Sequence, residues 1–225
     1  MEIVKKTWAT IGLAAGLMVA VNAHADVGVV GEVGTTGIGG HMVIPLRKNL
    51  NARLGMGYLS YSYNGSTNGM NYDLSMKART YDALLDWYPK EHSSFHVTGG
   101  LAYNGSKIDA QARPDASGNY SIDGNSYSAA SAGKIKGQVD FGRIAPYLGV
   151  GWSRASEKGW SFSSDVGMLF QGSPRTTLTS SGCTAPAAAC NQLAADVAKE
   201  NSRLNDEVSR FKVYPVLRVG ISYKF

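Results

Sequence analysis

Val213 to Phe225 alternates without a break. Val213, Pro215, Leu217, Val219, Ile221, Tyr223 and Phe225 fall on one side of an extended chain. Tyr214, Val216, Arg218, Gly220, Ser222 and Lys224 fall on the other. Successive side chains of a strand point to opposite faces, so this segment has one apolar face ending in aromatics and one largely polar face. A strand of a secreted β-sandwich can alternate in the same way, but a sandwich gives the final Phe no reason to be last. A strand with lipid on one side and a polar lumen on the other does, because aromatic residues gather at the membrane interface. A terminal aromatic after an alternating strand is also the feature by which outer-membrane assembly machinery is expected to engage the chain through Phe225.

The opposite end points to export. Lys5 and Lys6 precede an uncharged apolar run from Trp8 to Val21, which closes on the small-x-small pattern Ala23-His24-Ala25. A signal peptidase reads that pattern, so residues 1–25 are expected to be a cleaved signal peptide and residues 26–225 the mature chain, beginning at Asp26. The run is shorter than the roughly 20 residues a membrane-spanning helix requires. No later segment is long and apolar enough to be one; instead the sequence spreads 27 glycines and 12 tyrosines along its length. Lipid leaves no backbone group unpaired, so an exported chain without a spanning helix enters a membrane only as a closed barrel. The fold class expected is all-β, an eight-stranded antiparallel transmembrane β-barrel located in the outer membrane, with one short helix in its last connection.

Runs of period two give eight candidate strands: Val27–Ile44, Leu50–Tyr63, Tyr72–Trp87, Phe95–Ala110, Gly133–Phe141, Ala145–Trp152, Trp160–Thr177 and Phe211–Phe225. On the third, Asp73, Ser75 and Lys77 oppose Leu74 and Met76, whereas further on Asp82 and Asp86 oppose Leu85 and Trp87. The apolar phase changes between the two halves, so a bulge is expected near Arg79-Thr80-Tyr81. Leu193, Val197, Leu204, Val208 and Phe211 recur at helical spacing, which predicts a helical insertion over about 191–211. Asp123-Gly124-Asn125 suits a tight hairpin turn. With both ends of the barrel chain in the periplasm, parity places the helix outside the cell. It also places the long polar interval 111–132 on the periplasmic side, against the rule of short periplasmic turns.

Chemistry comes next. The formal net charge is +5. An exported chain meets no nucleic acid, so these charges favour the lipid and lipopolysaccharide surface or small zwitterionic and basic solutes. Cys183 and Cys190 lie close together and are expected to form a disulfide in an oxidising compartment. No metal-ligand spacing, cofactor motif or nucleophile elbow is present, so neither a cofactor nor an enzyme activity is expected. By strand phase the candidate lumen-lining charges are Glu32, Arg53, Asp82, Asp86, Lys136, Asp140, Asp165 and Arg218, together with Asp73, Lys77 and Lys224. An eight-stranded barrel is just wide enough for its side chains to fill it. These charges therefore form either a plug of ion pairs or a narrow polar path. Arg218 is expected to meet Asp165 on the neighbouring strand or an acid across the lumen such as Glu32.

Five segments in order resemble the CarO-type outer-membrane proteins: Glu32–Gly40, Tyr72–Leu74, Ser121–Tyr127, Ile144–Trp152 and Gly172–Leu178. The resemblance runs from about Glu32 to the C-terminus. It implies a monomeric eight-stranded barrel acting as an uptake porin for ornithine and other basic amino acids, in a family associated with carbapenem susceptibility. A non-conducting structural or surface-interaction barrel is the alternative that the lining residues leave open.

Overall fold

The computed structural model describes residues 27–67, 70–91, 93–153 and 158–225. The expected signal segment and the Asp26 start lie outside the described residues. The strands are β1 (Gly28–Gly34), β2 (Gly37–Arg47), β3 (Leu50–Thr67), β4 (Met70–Trp87), β5 (Phe95–Asn104), β6 (Lys107–Arg113), β7 (Asn119–Ile122), β8 (Asn125–Ser128), β9 (Lys134–Asp140), β10 (Ile144–Ser153), β11 (Gly159–Phe170), β12 (Arg175–Ser181) and β13 (Val213–Lys224). A single helical turn, α1 (Ala129–Ala132), and a long helix, α2 (Ala187–Val208), complete the set.

Eight strands close into an antiparallel barrel in the order β1, β2, β3, β4, β5, β10, β11, β13. The last pairs back onto the first from Gly28↔Lys224 to Gly34↔Arg218. The outer surface is apolar: Leu54, Met56, Leu101, Leu148, Leu217 and Ile221 are all exposed. Aromatics ring it at two levels. Tyr58, Tyr81 and Tyr103 stand toward the end away from the termini; Trp87, Trp152, Trp160 and Phe225 stand toward the termini.

Eight strands was the expected number, but the membership differs in two places, and the expected strands 95–110 and 160–177 each break into a barrel strand and a strand beyond it, β5 then β6 and β11 then β12. The run 27–44 is two barrel strands, folded at Thr35-Thr36, with Gly37 at φ 97° where a side chain is strained. Residues 133–141, expected in the barrel, form β9 beyond it. These two changes reverse the parity of the loops that follow. The connection holding 111–132 now lies at the far end with α2, not at the end of the termini. Among the described residues, the turn joining β2 to β3 at the end of the termini is the short Lys48-Asn49.

At the far end, five of the eight wall columns continue past the barrel. The first half of β4 pairs with β6, β6 with β9, and β9 with β12, extending the columns of β5, β10 and β11. The bulge expected near Thr80 is absent, since β3 and β4 stay in unbroken register from Leu50↔Trp87 to Thr67↔Met70. Two environments along one strand cause the phase change. Inside the bilayer the outward residues Tyr81, Leu85 and Trp87 must be apolar. Beyond it, the outward residues Lys77, Ser75 and Asp73 meet water, while the inward side of the strands that continue the wall, at Ala112, Ile135 and Leu178, faces a second core.

That second core packs Leu193 and Val197 of α2 against Tyr120, Ile122, Ala132 and Ile135. The β7–β8 hairpin turns at Asp123 (φ 49°) and Gly124 (φ 79°), the positive-φ pair of the expected tight turn. The helix begins at Ala187 and ends at Val208, shifted toward the N-terminus of the expected 191–211. Cys183 and Cys190 are joined by a disulfide that ties its first turn to the loop before it.

The open edge of the wall is β12, and α2 covers it. Asn205 Oδ1 accepts from the Thr176 amide at 3.2 Å and Asn201 Oδ1 from the Leu178 amide at 2.9 Å. The fit is metric: four helical residues rise about 6 Å and two strand residues about 7 Å. Unpaired edge amides template aggregation, so this cover protects as well as holds. A second tie is Asp196, which is fully buried. Its carboxylate accepts from Tyr127 Oη at 2.5 Å, Asn125 Nδ2 at 2.7 Å and Gln192 Nε2 at 3.0 Å. These hydrogen bonds, with Tyr127 the largest contributor, pull its pKa down to about 2.

Two outcomes are expected. Replacing Asn201 and Asn205 together by Ala should speed hydrogen exchange at the Thr176 and Leu178 amides and leave the barrel amides unchanged. Each lost bond is worth about 0.5–1.5 kcal/mol. Because the Asp196 pKa is depressed on folding, its contribution is present above about pH 4 and lost as pH falls through about 2. Acid should therefore release the β7–β8 hairpin in that window, as read by Tyr127 fluorescence or exchange, and Asp196→Asn should remove the pH dependence.

Candidate functional site: the barrel lumen

Alternation sends every second side chain of each barrel strand inward, and the inward set includes a cluster of charged and imidazole side chains. Glu32 comes from β1, His41 from β2, Arg53 from β3, Asp82 and Asp86 from β4, His96 and Thr98 from β5, Asp165 from β11 and Arg218 from β13. All are buried. In a ring of eight, β3 lies opposite β11 and β4 opposite β13, and each arginine reaches across to the opposite wall. Arg53 Nη1 and Nη2 donate to the two carboxylate oxygens of Asp165 at 2.9 and 3.0 Å. Its Nε lies 2.8 Å from Asp86 Oδ2. Arg218 Nη2 donates to Asp82 Oδ2 at 2.9 Å, and its Nε lies 3.3 Å from Glu32 Oε1.

Each bridge carries an imidazole. His41 Nε2 lies 2.7 Å from Asp82 Oδ1, and its Nδ1 lies 3.2 Å from Glu32 Oε2, at ion-pair distance though off the line of a hydrogen bond. His96 Nε2 lies 3.2 Å from Asp165 Oδ1, and Thr98 Oγ1 donates to Asp86 Oδ1 at 2.7 Å. Two layers result. One is Glu32–His41–Asp82–Arg218; the other is Asp86–Arg53–Asp165–His96. Four carboxylates face two guanidiniums and two imidazoles, so positive and negative charges balance when both imidazoles are protonated.

Glycine makes the room. A Cβ on Gly55 would lie 2.1 Å from the His41 ring, and one on Gly151 would lie 2.5 Å from His96 Nε2 and 2.6 Å from Asp165 Oδ1. Tyr147 stacks under Arg218, with Cζ 5.6 Å from the ring centroid. Leu84, Ala102, Ala145, Leu169 and Val216 pack with Tyr147 into an apolar core inside the barrel. Among the described residues no His, Cys, Asp and Glu group is arranged to hold a metal.

The structure sorts the expected lining. Glu32, Arg53, Asp82, Asp86, Asp165, Arg218 and Lys224 are buried on the inward face. Lys136 and Asp140 are not in the lumen: they stand on the outward face of β9, outside the barrel, because 133–141 is a wall extension. Asp73 and Lys77 also face outward, since β4 has no bulge to turn them in. Asp165 and Arg218 are register partners, as expected of neighbours, yet each pairs across the lumen instead. The second expected partner, Glu32, does meet Arg218. His41, His96, Thr98 and Tyr147 were missed as lining residues. The signal for His96 and Thr98 was available, since Phe95, Val97, Leu101 and Tyr103 mark the lipid face of their strand.

No protein-family model matches the sequence, and no curated protein does. Among solved structures, CarO from Acinetobacter baumannii is similar, with 26% identity and a TM-score of 0.54 over 89% of this chain and 98% of that one. CarO2 from the same organism shares the fold at 24% identity and a TM-score of 0.57, over 90% of this chain and 100% of its own.

Removing one arginine leaves two buried carboxylates facing each other, which costs about 3–5 kcal/mol. Arg53→Ala and Arg218→Ala should each lower the temperature at which the folded band converts to the unfolded band on semi-native gels. Gly151→Ala should do the same more weakly, by about 1–3 kcal/mol of overpacking. An unchanged midpoint in all three would contradict the bridged lumen.

Proposed function

From the premise that this chain is a CarO-type outer-membrane barrel, we propose that it works with its lumen shut, as a non-conducting barrel that holds the wall, hairpin and helix outside the cell. The observation that carries this reading is the pair of arginine bridges, each spanning the full diameter between opposite strands. A solute on the axis would have to break both layers, and every separated pair would leave a buried charge costing several kcal/mol. Far-end exposure follows the habit of membrane barrels, which keep short turns in the periplasm and long connections outside.

A second reading is favoured by one observation. Carboxylates outnumber guanidiniums four to two in the lumen, so an entering cation could take over a carboxylate from an arginine at lower cost than an anion or a neutral solute. This supports a narrow porin for small solutes such as ornithine and other basic amino acids, opened by exchange of partners.

Liposome swelling separates the two. Purified protein should give no swelling with ornithine, glutamate or a sugar of similar size, and the double variant Arg53→Ala, Arg218→Ala should admit the smallest of them if it still folds. Swelling of wild-type liposomes in ornithine but not in glutamate would replace the closed-barrel reading with the porin.

A further inference from the structure

The outward face of the extended wall changes character one step past the aromatic band. Along β4 the outward residues run Leu85, Ala83, Tyr81, then Arg79, Lys77, Ser75 and Asp73. Arg79 lies over the Tyr58 ring, its Cζ 5.9 Å from the centroid, so it sits at the membrane boundary. The next position opens a row set by strand register. Lys77 on β4 is opposite Lys107 on β6, Lys107 is opposite Asp140 on β9, and Asp140 is opposite Arg175 on β12.

This row is net positive, three cations against the one carboxylate of Asp140. Lys77, Lys107 and Arg175 are exposed, and among the described residues none of the three has an ion pair. Asp140 is engaged by Gln138 Nε2, at 2.8 and 2.9 Å. Like charges directly opposite each other on neighbouring strands destabilise a sheet, so the Lys77–Lys107 pair costs folding energy unless an anion lies between them. Immediately beyond the row, the same face holds an open cavity of about 650 Å³. Asn64, Asp73, Asp109, Gln111, Lys136 and Gln138 are among its lining residues. It is of ligand size, and its lining mixes polar side chains with apolar surface from Leu74, Ala110 and Gly137.

We propose that this face seats the phosphorylated saccharide headgroup of an outer-leaflet glycolipid. The phosphate lies between Lys77 and Lys107 with Arg175 adding positive charge two strands further along the row, the sugar hydroxyls enter the cavity, and the acyl chains run down the barrel past Tyr58, Tyr81 and Tyr103. Three features select that occupant. The face is continuous with the lipid-contacting surface, its charge is complementary to a phosphate, and its cavity offers both donors and acceptors. The site rests on the outer-membrane reading with the far end outside.

The test uses the full folded chain in mild detergent, mixed with lipid A in its bis-phosphorylated or dephosphorylated form, with bound lipid counted by native mass spectrometry. The phosphorylated form should be retained at least five-fold over the dephosphorylated one, and Lys77→Gln with Lys107→Gln should remove that preference while gel heat-modifiability stays unchanged. Millimolar inorganic phosphate should not displace the lipid. Equal retention of both forms, full retention by the double variant, or displacement by free phosphate would each overturn the site. An epitope inserted after Gly172 and probed on intact cells reports the orientation separately. A visible epitope without lipid preference ends the glycolipid site alone; a hidden one ends the outward orientation and the site with it.

Discussion

The closure of β13 onto β1 governs the rest of the molecule. Hydrocarbon offers a backbone amide or carbonyl nothing to bind, so each barrel strand must find a partner on both sides. Seven register pairs from Gly28↔Lys224 to Gly34↔Arg218 supply the last of them. Closure fixes a ring of eight, a ring of eight fixes a narrow interior, and a narrow interior decides that long inward side chains touch the opposite wall. Arg53 and Arg218 reach Asp165 and Asp82 because the barrel has no room for them to do otherwise.

Burying so many charges is expensive, and the arrangement shows how the cost is offset. Each carboxylate has at least two partners drawn from guanidinium, imidazole and hydroxyl groups, so no ion is left with water as its only alternative. The glycines opposite His41 and His96 are part of this arrangement, since a methyl group at Gly55 or Gly151 would displace the ring. Replacing such pairs with apolar side chains often costs nothing in stability, so stability alone gives no reason to keep them. A sealed barrel and a partner-exchanging path explain them differently. In the first the layers hold the walls in register; in the second they are the gate.

Beyond the bilayer the constraints relax, and the same strands change their pattern. The outward face of β4, β6, β9 and β12 turns polar, while the inward face turns apolar and is covered by α2 and the β7–β8 hairpin. The edge that the barrel does not need to close is capped by two asparagines whose helical spacing matches the pleat of β12. The module is therefore built onto the barrel as a continuation of its wall, and positions on its outward face stay aligned with the lipid surface below. The basic row at Lys77, Lys107 and Arg175 gains its meaning from that alignment.

Much of this was legible in the residues themselves. The lipid face of β13 and β11, the helix that carries Leu193 and Val197, the Asp123-Gly124 turn and the inward set Glu32, Arg53, Asp82, Asp86, Asp165 and Arg218 follow from local periodicity, which needs only the chain's own geometry. Period two states which residues share a face, but it does not state what that face meets. It could not tell that 27–44 folds at Thr35-Thr36, because an eighteen-residue alternating run is also what β3 and β4 show as single strands. Nor could it show that Lys136 and Asp140 stand outside the barrel, or that Asp165 turns from its neighbour Arg218 to Arg53. Those outcomes depend on which strands are neighbours and which are opposite, and that is fixed by non-local hydrogen bonding and by the few ångströms available across a closed ring.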